Sequence, residues 1–355
     1  MAYLTLSDGT EYEGIGFGYE GDAVGEVVFN TGMTGYQELL TDPAYLGQIV
    51  NMTYPLIGNY GVNHADTESD VIAVRGLVVR DYCAVPSNWQ CEDTLDSYLK
   101  QNKIVAIHAI DTRALTRKLR NCGTMAGIIT QERPTKEQLE ALKSYKSEAN
   151  VMQATCKEAY ELIAEGEPRV AILDYGLKRN LLASLRYVGI SYRVFPASTT
   201  AEEIMEWNPD GVILTNGPGD PKANEFQINE IKKMIGKLPI WGICLGHELL
   251  ALAYGADTQK LKYGHRGSNH PVRDLMTGKM YITGQNHGYA VVEESVKDFA
   301  KVSHINWNDR TVEGLVYNDG LSFSVQFHPE AGPRGTGYLF ERFAEMLRSY
   351  KGGKN

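Results

Sequence analysis

The sequence predicts an α/β protein of two domains, the second built on a mostly parallel sheet. From Val170 onward, apolar strand patterns alternate with helix patterns, an order typical of a parallel sheet with helices on both faces. The first part of the chain instead begins with a hairpin signal, and a polar stretch ending in Glu-Gly-Glu-Pro separates the two parts. We therefore predict an N-terminal α/β domain over residues 1–150, a linker over 151–168 and a second domain over 169–355.

The first domain is predicted from short apolar runs and helix patterns between turn signals. The helix that starts after Asp111 has an N-cap residue, and Gly123 ends it. The strands are predicted at 3–6, 11–14, 26–30, 48–53, 71–79, 104–110 and 125–130, and the helices near 37–41, 92–102, 112–121 and 135–145.

The second domain is predicted from strict alternation, followed by an added antiparallel portion. The strands of the alternating part are predicted at 170–174, 192–195, 211–215 and 238–243, with helices at 178–188, 200–207, 224–235 and after Cys244. Hairpin-like strands are predicted beyond Gly255 at 260–263, 280–284, 289–292, 312–317 and 322–327, and a closing helix at 338–350. Functional residues in such a sheet gather at the carboxyl ends of the parallel strands.

The composition excludes several classes of partner. The formal net charge of −9 argues against nucleic acid, which requires a basic surface. No apolar run reaches the length of a transmembrane helix, and the first residues do not form a signal peptide. The five cysteines are scattered and odd in number, which favours a reducing compartment. We expect a cytoplasmic protein with no membrane partner.

Cys244 is the candidate nucleophile. It lies where a short buried strand turns into an apolar helix, between Gly242 and Gly246, an arrangement typical of a nucleophile elbow. At a helix N-terminus the free N–H groups and the dipole stabilise a thiolate. The alternative is a buried and inert cysteine, which is common.

A general base and its orienting group are predicted near the C-terminus. His328 and Glu330 follow the strand predicted at 322–327, and residues two apart on an extended chain point to the same side. We expect His328 to face Cys244 while Glu330 holds the imidazole.

An oxyanion-binding loop is predicted after the strand at 211–215. Gly217 and Gly219 allow bare backbone N–H groups to approach a substrate, and the amide of Leu245 adds another donor. The alternative is that Gly-Pro-Gly-Asp-Pro forms only a turn.

No metal or nucleotide site is predicted. Cys244 and His247 have C-x-x-H spacing, but no second pair at ligand spacing lies nearby. We interpret His265, His270 and His287 as residues of substrate or structural loops, with a metal site as a distant option. The sequence also lacks the P-loop pattern for ATP.

Taken together, these motifs resemble class I, triad-type glutamine amidotransferases. G-I-C-L-G-H, N-G-P-G-D-P and F-H-P-E-A occur in the family order, and the chain is more narrowly similar to the small, glutamine-hydrolysing subunits of carbamoyl-phosphate synthetases through FNTGMTGYQELLTDP and GQNHGYAV. The resemblance covers essentially the whole chain.

The resemblance implies a reaction and a partner. Cys244 would attack the side-chain amide of L-glutamine, with His328 and Glu330 completing the triad. Ammonia would pass to a large synthetase subunit, which holds ATP and Mg²⁺ and makes carbamoyl phosphate from bicarbonate for pyrimidine and arginine synthesis. This chain would carry no cofactor of its own and would work in a hetero-oligomer.

The resemblance also implies which residues hold glutamine. Asn286, Gly288 and Tyr289 match the family pattern, whereas two positions depart from it. Gly32 stands where relatives often have serine, and Glu248 stands where they often have glutamine. We expect Glu248 to contact the substrate's amino group, and the alternative is that its side chain points to solvent.

Two other functions remain open at this stage. The chain could serve a different synthase, such as one making anthranilate or guanylate, although FNTGMTGYQE and the long N-terminal domain argue against it. It could also be a silent docking subunit, against which the complete triad argues.

Overall fold

A computed structural model describes residues 1–70, 72–162, 168–331 and 335–352. The chain divides into two compact units, Met1–Ala149 and Asn150–Asn355.

The N-terminal unit contains a closed β-barrel. Seven strands form it in the order β1-β2-β8-β6-β4-β3-β9, and β5 and β7 pair separately. The nine strands are β1 (Ala2–Leu6), β2 (Glu11–Gly18), β3 (Ala23–Asn30), β4 (Gln48–Met52), β5 (Leu56–Ile57), β6 (Gly76–Val78), β7 (Asp81–Tyr82), β8 (Val105–His108) and β9 (Met125–Thr130). The barrel closes because β9 pairs with both β1 and β3, which leaves neither strand as an edge.

Four α-helices accompany the barrel in the described part of this unit, and side-chain caps fix where three of them begin. Asp111 accepts a hydrogen bond from the Ala114 amide, as the sequence predicts, and Thr94 and Thr135 cap two others. The helices are α1 (Tyr36–Thr41), α2 (Leu95–Gln101), α3 (Thr112–Cys122) and α4 (Lys136–Lys143).

The C-terminal unit is organised around one sheet of ten strands in its described residues. Their order is β10-β12-β11-β13-β14-β19-β18-β17-β15-β16. The strands are β10 (Tyr160–Leu162), β11 (Arg169–Asp174), β12 (Ser191–Pro196), β13 (Gly211–Leu214), β14 (Ile240–Ile243), β15 (Thr258–Asp274), β16 (Met280–Val291), β17 (Ala300–Asn306), β18 (Val312–Tyr317) and β19 (Ser322–Val325).

The ten-stranded sheet has a parallel and an antiparallel half, and the edge strand β10 lies beside the parallel half, antiparallel to β12. In the parallel half, β12, β11, β13, β14 and β19 run in one direction. In the antiparallel half, β18, β17, β15 and β16 follow β19 with each neighbouring pair antiparallel. The predicted α/β class with an added antiparallel portion is confirmed.

The helices of this unit precede β10, follow strands of the parallel half or close the chain. They are α5 (Val151–Ala154), α6 (Arg179–Tyr187), α7 (Ala201–Glu206), α8 (Glu225–Met234), α9 (Leu245–Tyr254) and α10 (Tyr338–Gly352). Two buried apolar clusters form, with α7, α8 and α9 contributing to one and α6 and α10 to the other. The central strands are buried along their whole length, which explains why their sequences read as continuous apolar runs.

Several segments differ from the sequence prediction. No strand was predicted at β5, β7 or β17. The predicted linker, 151–168, contains α5 and β10, and residues 163–167 lie outside the described residues. A capping box at Asn150 starts α5, and β10 pairs antiparallel with β12, so these elements belong to the C-terminal unit. The strand predicted at 71–79 is confined to Gly76–Val78, and residue 71 lies outside the described residues.

The interpretation of three histidines as loop residues is wrong. His265 and His270 lie within β15, and His287 lies within β16. These long strands are hard to identify from the sequence for two reasons. Many of their residues are polar, and the register of the β15–β16 pair shifts just before His265 and just after Gly267. Such bulges break the simple alternation that identifies a strand.

None of the described helices is long and apolar enough to cross a membrane. All five cysteines lie in the described residues, and none of them forms a disulfide bond.

Candidate active site

Cys244 occupies a strained turn between β14 and α9. Its φ of 55° and ψ of −109° are unusual for a residue with a side chain. The turn is tight because the neighbouring glycines touch backbone: a Cβ on Gly246 would lie 2.1 Å from the carbonyl oxygen of Leu214, and one on Gly242 would lie 2.5 Å from that of Gly246. The predicted elbow is therefore confirmed in its geometry.

The sulfur of Cys244 is almost completely enclosed. The residue is 2% exposed, and its Sγ lies 3.5 Å from the carbonyl oxygen of Asn286 on β16. Cys244 also occupies the N-cap position of α9, where backbone N–H groups carry partial positive charge. This position favours the thiolate form of the side chain.

His328 and Glu330 follow β19, the parallel neighbour of β14. The Cys244 amide donates to the carbonyl of Val325. Cys244 and the segment that begins at His328 therefore both follow the carboxyl ends of neighbouring parallel strands. The Nδ1–H of His328 donates to Oε1 of Glu330 over 2.8 Å. Among the described residues, Nε2 of His328 is buried without a hydrogen-bond partner. This nitrogen is therefore available to a substrate or to the nucleophile.

Strand β16 connects Cys244 and His328. The amide of His328 donates to the carbonyl of Gly284, two residues before Asn286, whose carbonyl lies near the sulfur. Two residues of β16 thus contact His328 and Cys244, respectively.

Glu330 has a second partner that sequence reasoning missed. Nζ of Lys178 lies 2.6 Å from the same Oε1 that accepts the hydrogen bond from His328. The side chains of Lys178 and Glu330 are both nearly inaccessible to solvent. Burial alone would raise the pKa of Glu330, but Lys178 and then His328 hold it well below its usual value. Glu330 is therefore a carboxylate throughout the neutral range.

The position of Lys178 follows from the loop after β11. Oδ1 of Asp174 accepts hydrogen bonds from the amides of Gly176 and Leu177, and α6 begins directly after Lys178. One feature of the sequence could have identified Lys178 as a candidate site residue. It follows a central parallel strand, and functional groups gather at the carboxyl ends of such strands. Sequence alone gave no reason to pair it with Glu330.

The loop that carries Gly217 and Gly219 lies against the start of α9. A Cβ on Gly217 would come within 2.8 Å of Cδ2 of Leu245, and the Gly246 amide donates to the carbonyl of Thr215. Gly219 has a φ of +92°, which favours glycine. The loop therefore lies against the first residues of α9, and the oxyanion site that it would form with the Leu245 amide stays a prediction.

Glu248 lies one turn along α9 and is 3% exposed, so the alternative in which it points to solvent is wrong. Nε2 of Gln326 donates to its Oε1 over 3.0 Å. Burial raises the pKa of Glu248 to about 8, although the bond from Gln326 opposes this shift. Its side chain is therefore mainly neutral at pH 7.

The remaining glutamine-binding candidates fall in two places. Asn286, Gly288 and Tyr289 lie on β16, the strand that contacts Cys244. Gly32 lies in the N-terminal unit, where its amide donates to Oδ1 of Asn30. Its contact with glutamine stays a prediction.

His247 of the C-x-x-H pair lies in the first turn of α9. Its Nδ1 lies 2.7 Å from Oγ of Ser324, and it is buried. Within the described residues, the group whose atoms converge as metal ligands do is His265, His287 and Glu313, all buried. These atoms contact one another directly.

Comparisons with known proteins agree over the whole chain. Residues 4–129 match the family described as carbamoyl-phosphate synthase small chain, CPSase domain, and residues 171–346 match glutamine amidotransferase class-I. The chain is 51% identical to the carbamoyl phosphate synthase small chain of Clostridium perfringens, over 96% of this chain and 98% of that one. It is 49% identical to the small chain of Syntrophotalea carbinolica, over 98% and 97% of the two chains. It is also 47% identical to the carbamoyl phosphate synthase pyrimidine-specific small chain of Bacillus subtilis, over 98% and 96%.

These relatives span nearly the full length of both chains at about half identity, and both halves of the sequence match the corresponding family. The chain therefore belongs to the carbamoyl-phosphate synthase small chains, the glutamine amidotransferase subunits of that enzyme.

Proposed function

We propose that the chain hydrolyses L-glutamine through a γ-glutamyl thioester on Cys244 and delivers the ammonia to a large synthetase chain. One observation carries this proposal. Cys244 lies at the N-terminus of α9, and the buried His328–Glu330 pair follows the neighbouring parallel strand at the same end of the sheet.

The first half-reaction begins with proton transfer from the Cys244 thiol to Nε2 of His328. The thiolate forms a bond to the amide carbon of glutamine, and the carbonyl electrons move to oxygen. The amide of Leu245 and the Gly217–Gly219 loop stabilise this oxyanion. His328 then returns the proton to the leaving nitrogen, and the C–N bond breaks to release ammonia.

The second half-reaction hydrolyses the thioester. His328 accepts a proton from water as the oxygen attacks the thioester carbon. The C–S bond then breaks to give glutamate, and His328 returns the proton to the sulfur of Cys244. Glu330 keeps Nδ1 of His328 protonated in both steps, because the carboxylate accepts that hydrogen bond. Lys178 holds Glu330 in its charged form.

Substrate binding is assigned to the residues around the sulfur. Asn286, Gly288 and Tyr289 lie along the strand beside Cys244 and hold the α-amino and α-carboxylate groups of glutamine. Glu248 contributes from α9 toward the amino group.

The synthetic chemistry belongs to a partner. The sequence has no P-loop for ATP, so we assign ATP, Mg²⁺ and the conversion of bicarbonate to carbamoyl phosphate to the large chain of a cytoplasmic hetero-oligomer. The pyrimidine-specific name of the Bacillus subtilis relative supports a role in pyrimidine synthesis, and arginine synthesis is the other use of the product.

The test is the Cys244→Ala variant in the complex with its large chain. We expect glutamine-dependent synthesis of carbamoyl phosphate to disappear and ammonia-dependent synthesis to remain. Acid quenching of wild-type enzyme with labelled glutamine should trap label on the protein, and the variant should trap none. Glutamine-dependent synthesis that survives in the variant would refute the proposal.

A further inference from the structure

A buried polar cluster lies in the antiparallel half of the ten-stranded sheet, outside the residues assigned to the chemistry. His265 lies on β15, His287 on β16 and Glu313 on β18. All three are buried, and one nitrogen or oxygen atom from each lies within 4.8 Å of the others. We call these three residues, together with Gln285 on β16, the His265 cluster.

Hydrogen bonds fix which nitrogen of each imidazole carries the proton. Nε2 of His265 lies 2.7 Å from Oδ2 of Asp309, and Nδ1 of His287 lies 2.6 Å from the carbonyl oxygen of Tyr289. A carboxylate and a carbonyl can only accept, so these two nitrogens are the donors of neutral imidazoles. The other two nitrogens, Nδ1 of His265 and Nε2 of His287, are then bare acceptors that face each other over 3.2 Å.

The amide of Gln285 turns a third acceptor toward the same place. Oγ1 of Thr283 donates to the carbonyl oxygen of His270, so it accepts from Nε2 of Gln285. The amide oxygen of Gln285 therefore lies toward Nε2 of His287, at 3.0 Å. Two acceptors in contact repel each other unless a positive charge lies between them.

Glu313 brings a carboxyl group to these acceptors. Its Oε1 lies 3.5 Å from Nδ1 of His265 and accepts from Nδ2 of Asn306 over 3.0 Å. The same Asn306 nitrogen lies farther from Nδ1 of His265, at 3.4 Å. Among the described residues, Oε2 of Glu313 is buried without a hydrogen-bond partner. A carboxyl group that is 0% exposed and only partly hydrogen-bonded is costly unless a cation compensates it.

The spacing of the acceptors fits a tetrahedral metal ion. Ligands about 2.0–2.2 Å from Zn²⁺ lie roughly 3.3–3.6 Å apart at the corners of a tetrahedron. The contacts within the cluster measure 3.0, 3.2 and 3.5 Å. One proton can join only one pair of acceptors, whereas a metal ion joins them all. Imidazole nitrogens suit Zn²⁺, whereas Mg²⁺ and Ca²⁺ prefer oxygen ligands.

We propose that the His265 cluster binds one structural Zn²⁺ ion. The ligand atoms are Nδ1 of His265, Nε2 of His287, Oε1 of Glu313 and Oε1 of Gln285. The ion links β15, β16 and β18 within the sheet. The sequence motifs imply no metal in this chain, and spacing along the chain does not predict this site because its ligands come from three strands.

The groups around the cluster act as the outer partners of a metal site do. Asp309 and the Tyr289 carbonyl orient the two imidazoles, and Asn306 orients the carboxyl group. The ion also steadies β16 beside the nucleophile, because the carbonyl of Asn286 on this strand contacts the Cys244 sulfur.

The test is zinc binding by the purified full chain. After treatment with a chelator and dialysis, we expect wild type to take up one equivalent of Zn²⁺, measured by elemental analysis and by competition with a chromophoric chelator. His265→Asn and Glu313→Gln each remove a ligand and should lose stoichiometric binding. Asp309→Asn removes only an outer partner and should weaken the affinity by about 10–100-fold. The Asp309 side chain is 44% exposed, so this variant keeps the test decisive where a variant of a buried ligand fails to fold.

Two controls separate this site from other groups that bind zinc. His304→Asn removes a buried imidazole from neighbouring β17 and should bind Zn²⁺ as wild type does. Cys244→Ala removes the buried thiol and should also retain Zn²⁺. The Co²⁺-loaded wild-type protein should show no thiolate-to-metal charge-transfer band, because the proposed ligands are nitrogen and oxygen atoms.

Three results would overturn the inference. One is wild type that takes up no Zn²⁺, or only zinc that the ligand variants take up equally. Another is equal affinity in wild type and folded Asp309→Asn. The third is loss of zinc in Cys244→Ala, because the thiol would then be a ligand. None of these results depends on the proposed glutamine hydrolysis, which fails separately if Cys244→Ala retains glutamine-dependent synthesis.

Discussion

The two halves of the ten-stranded sheet differ in where their polar residues lie. In the parallel half, β13 and β14 are apolar and buried along their length, and the reactive groups lie beyond the strand ends. In the antiparallel half, β15 and β16 carry histidine, arginine and amide side chains inside the strands. In the parallel half, the candidate catalytic residues therefore follow the strands. In the antiparallel half, buried polar residues lie within the strands themselves.

This difference predicts a division of kinetic effects. Substitutions at the ends of parallel strands should lower turnover, because they remove groups that act on the reacting atoms. Substitutions inside the antiparallel strands should change the KM for glutamine, because they shift the segment that is proposed to hold the substrate.

The largest effect should come from His328→Asn. A general base contributes about 10²–10⁴-fold to the rate, so kcat for glutamine hydrolysis should fall by a factor within or above that range. The measurement is kcat for glutamate formation in the complex, with ammonia-dependent synthesis as the unaffected control. Turnover close to wild type would place the base elsewhere.

The next effect concerns Lys178→Met. Removing one member of a buried ion pair leaves Glu330 uncompensated, which typically costs about 3–5 kcal/mol of stability. The pKa of Glu330 should rise, so the acidic limb of the pH–rate profile for glutamine hydrolysis should move to higher pH.

The matched control is Lys178→Met/Glu330→Gln, which removes both charges. It should regain much of the stability measured by denaturant unfolding but not the activity. A Lys178→Met profile that superimposes on the wild-type profile would show that Lys178 has no part in holding Glu330 charged.

Glu248 tests where the boundary between the halves lies. It belongs to the parallel half by position, yet it is buried beside Gln326 and predicted to touch the substrate. Because its pKa is about 8, wild-type KM for glutamine should change as pH rises through 8, when the side chain becomes charged. Glu248→Gln should alter the KM and remove this pH dependence, without affecting ammonia-dependent activity. If neither quantity responds, Glu248 does not contribute to binding.

The smallest effect should be the pH dependence of stability from His265 in the metal-free protein. Its folded pKa of about 9 lies above the ordinary value of 6.5, so the stabilisation is fully present below pH 6.5 and is lost as pH rises through 9. The shift corresponds to roughly 3 kcal/mol as an upper value. Unfolding free energies measured from pH 6.5 to 9.5 should fall more steeply for wild type than for His265→Asn. Equal slopes would exclude a charged His265.

The reliability of sequence reasoning differs between the same two halves. The alternation of strands and helices before Cys244 was predicted nearly to the residue, because continuous apolar runs identify buried parallel strands. The long strands β15 and β16 were predicted only in part, since polar residues and register shifts removed the alternation. As a result, His265, His270 and His287 were assigned to loops.

The sequence by itself determined the groups whose partners are close along the chain. Cys244 at the strand–helix turn, and His328 two residues from Glu330, follow from local backbone geometry, which depends on neighbouring residues alone. The class I motifs and their order likewise need no coordinates.

Only the tertiary structure decided which distant groups meet. Lys178 and Glu330 are separated by about 150 residues, and His265, Asp309 and Glu313 come from separate strands and turns. Such contacts depend on strand order, register and bulges, which no local pattern encodes. The pKa values of Glu330, Glu248 and His265 follow from those contacts and from burial, so they too were decided by the fold.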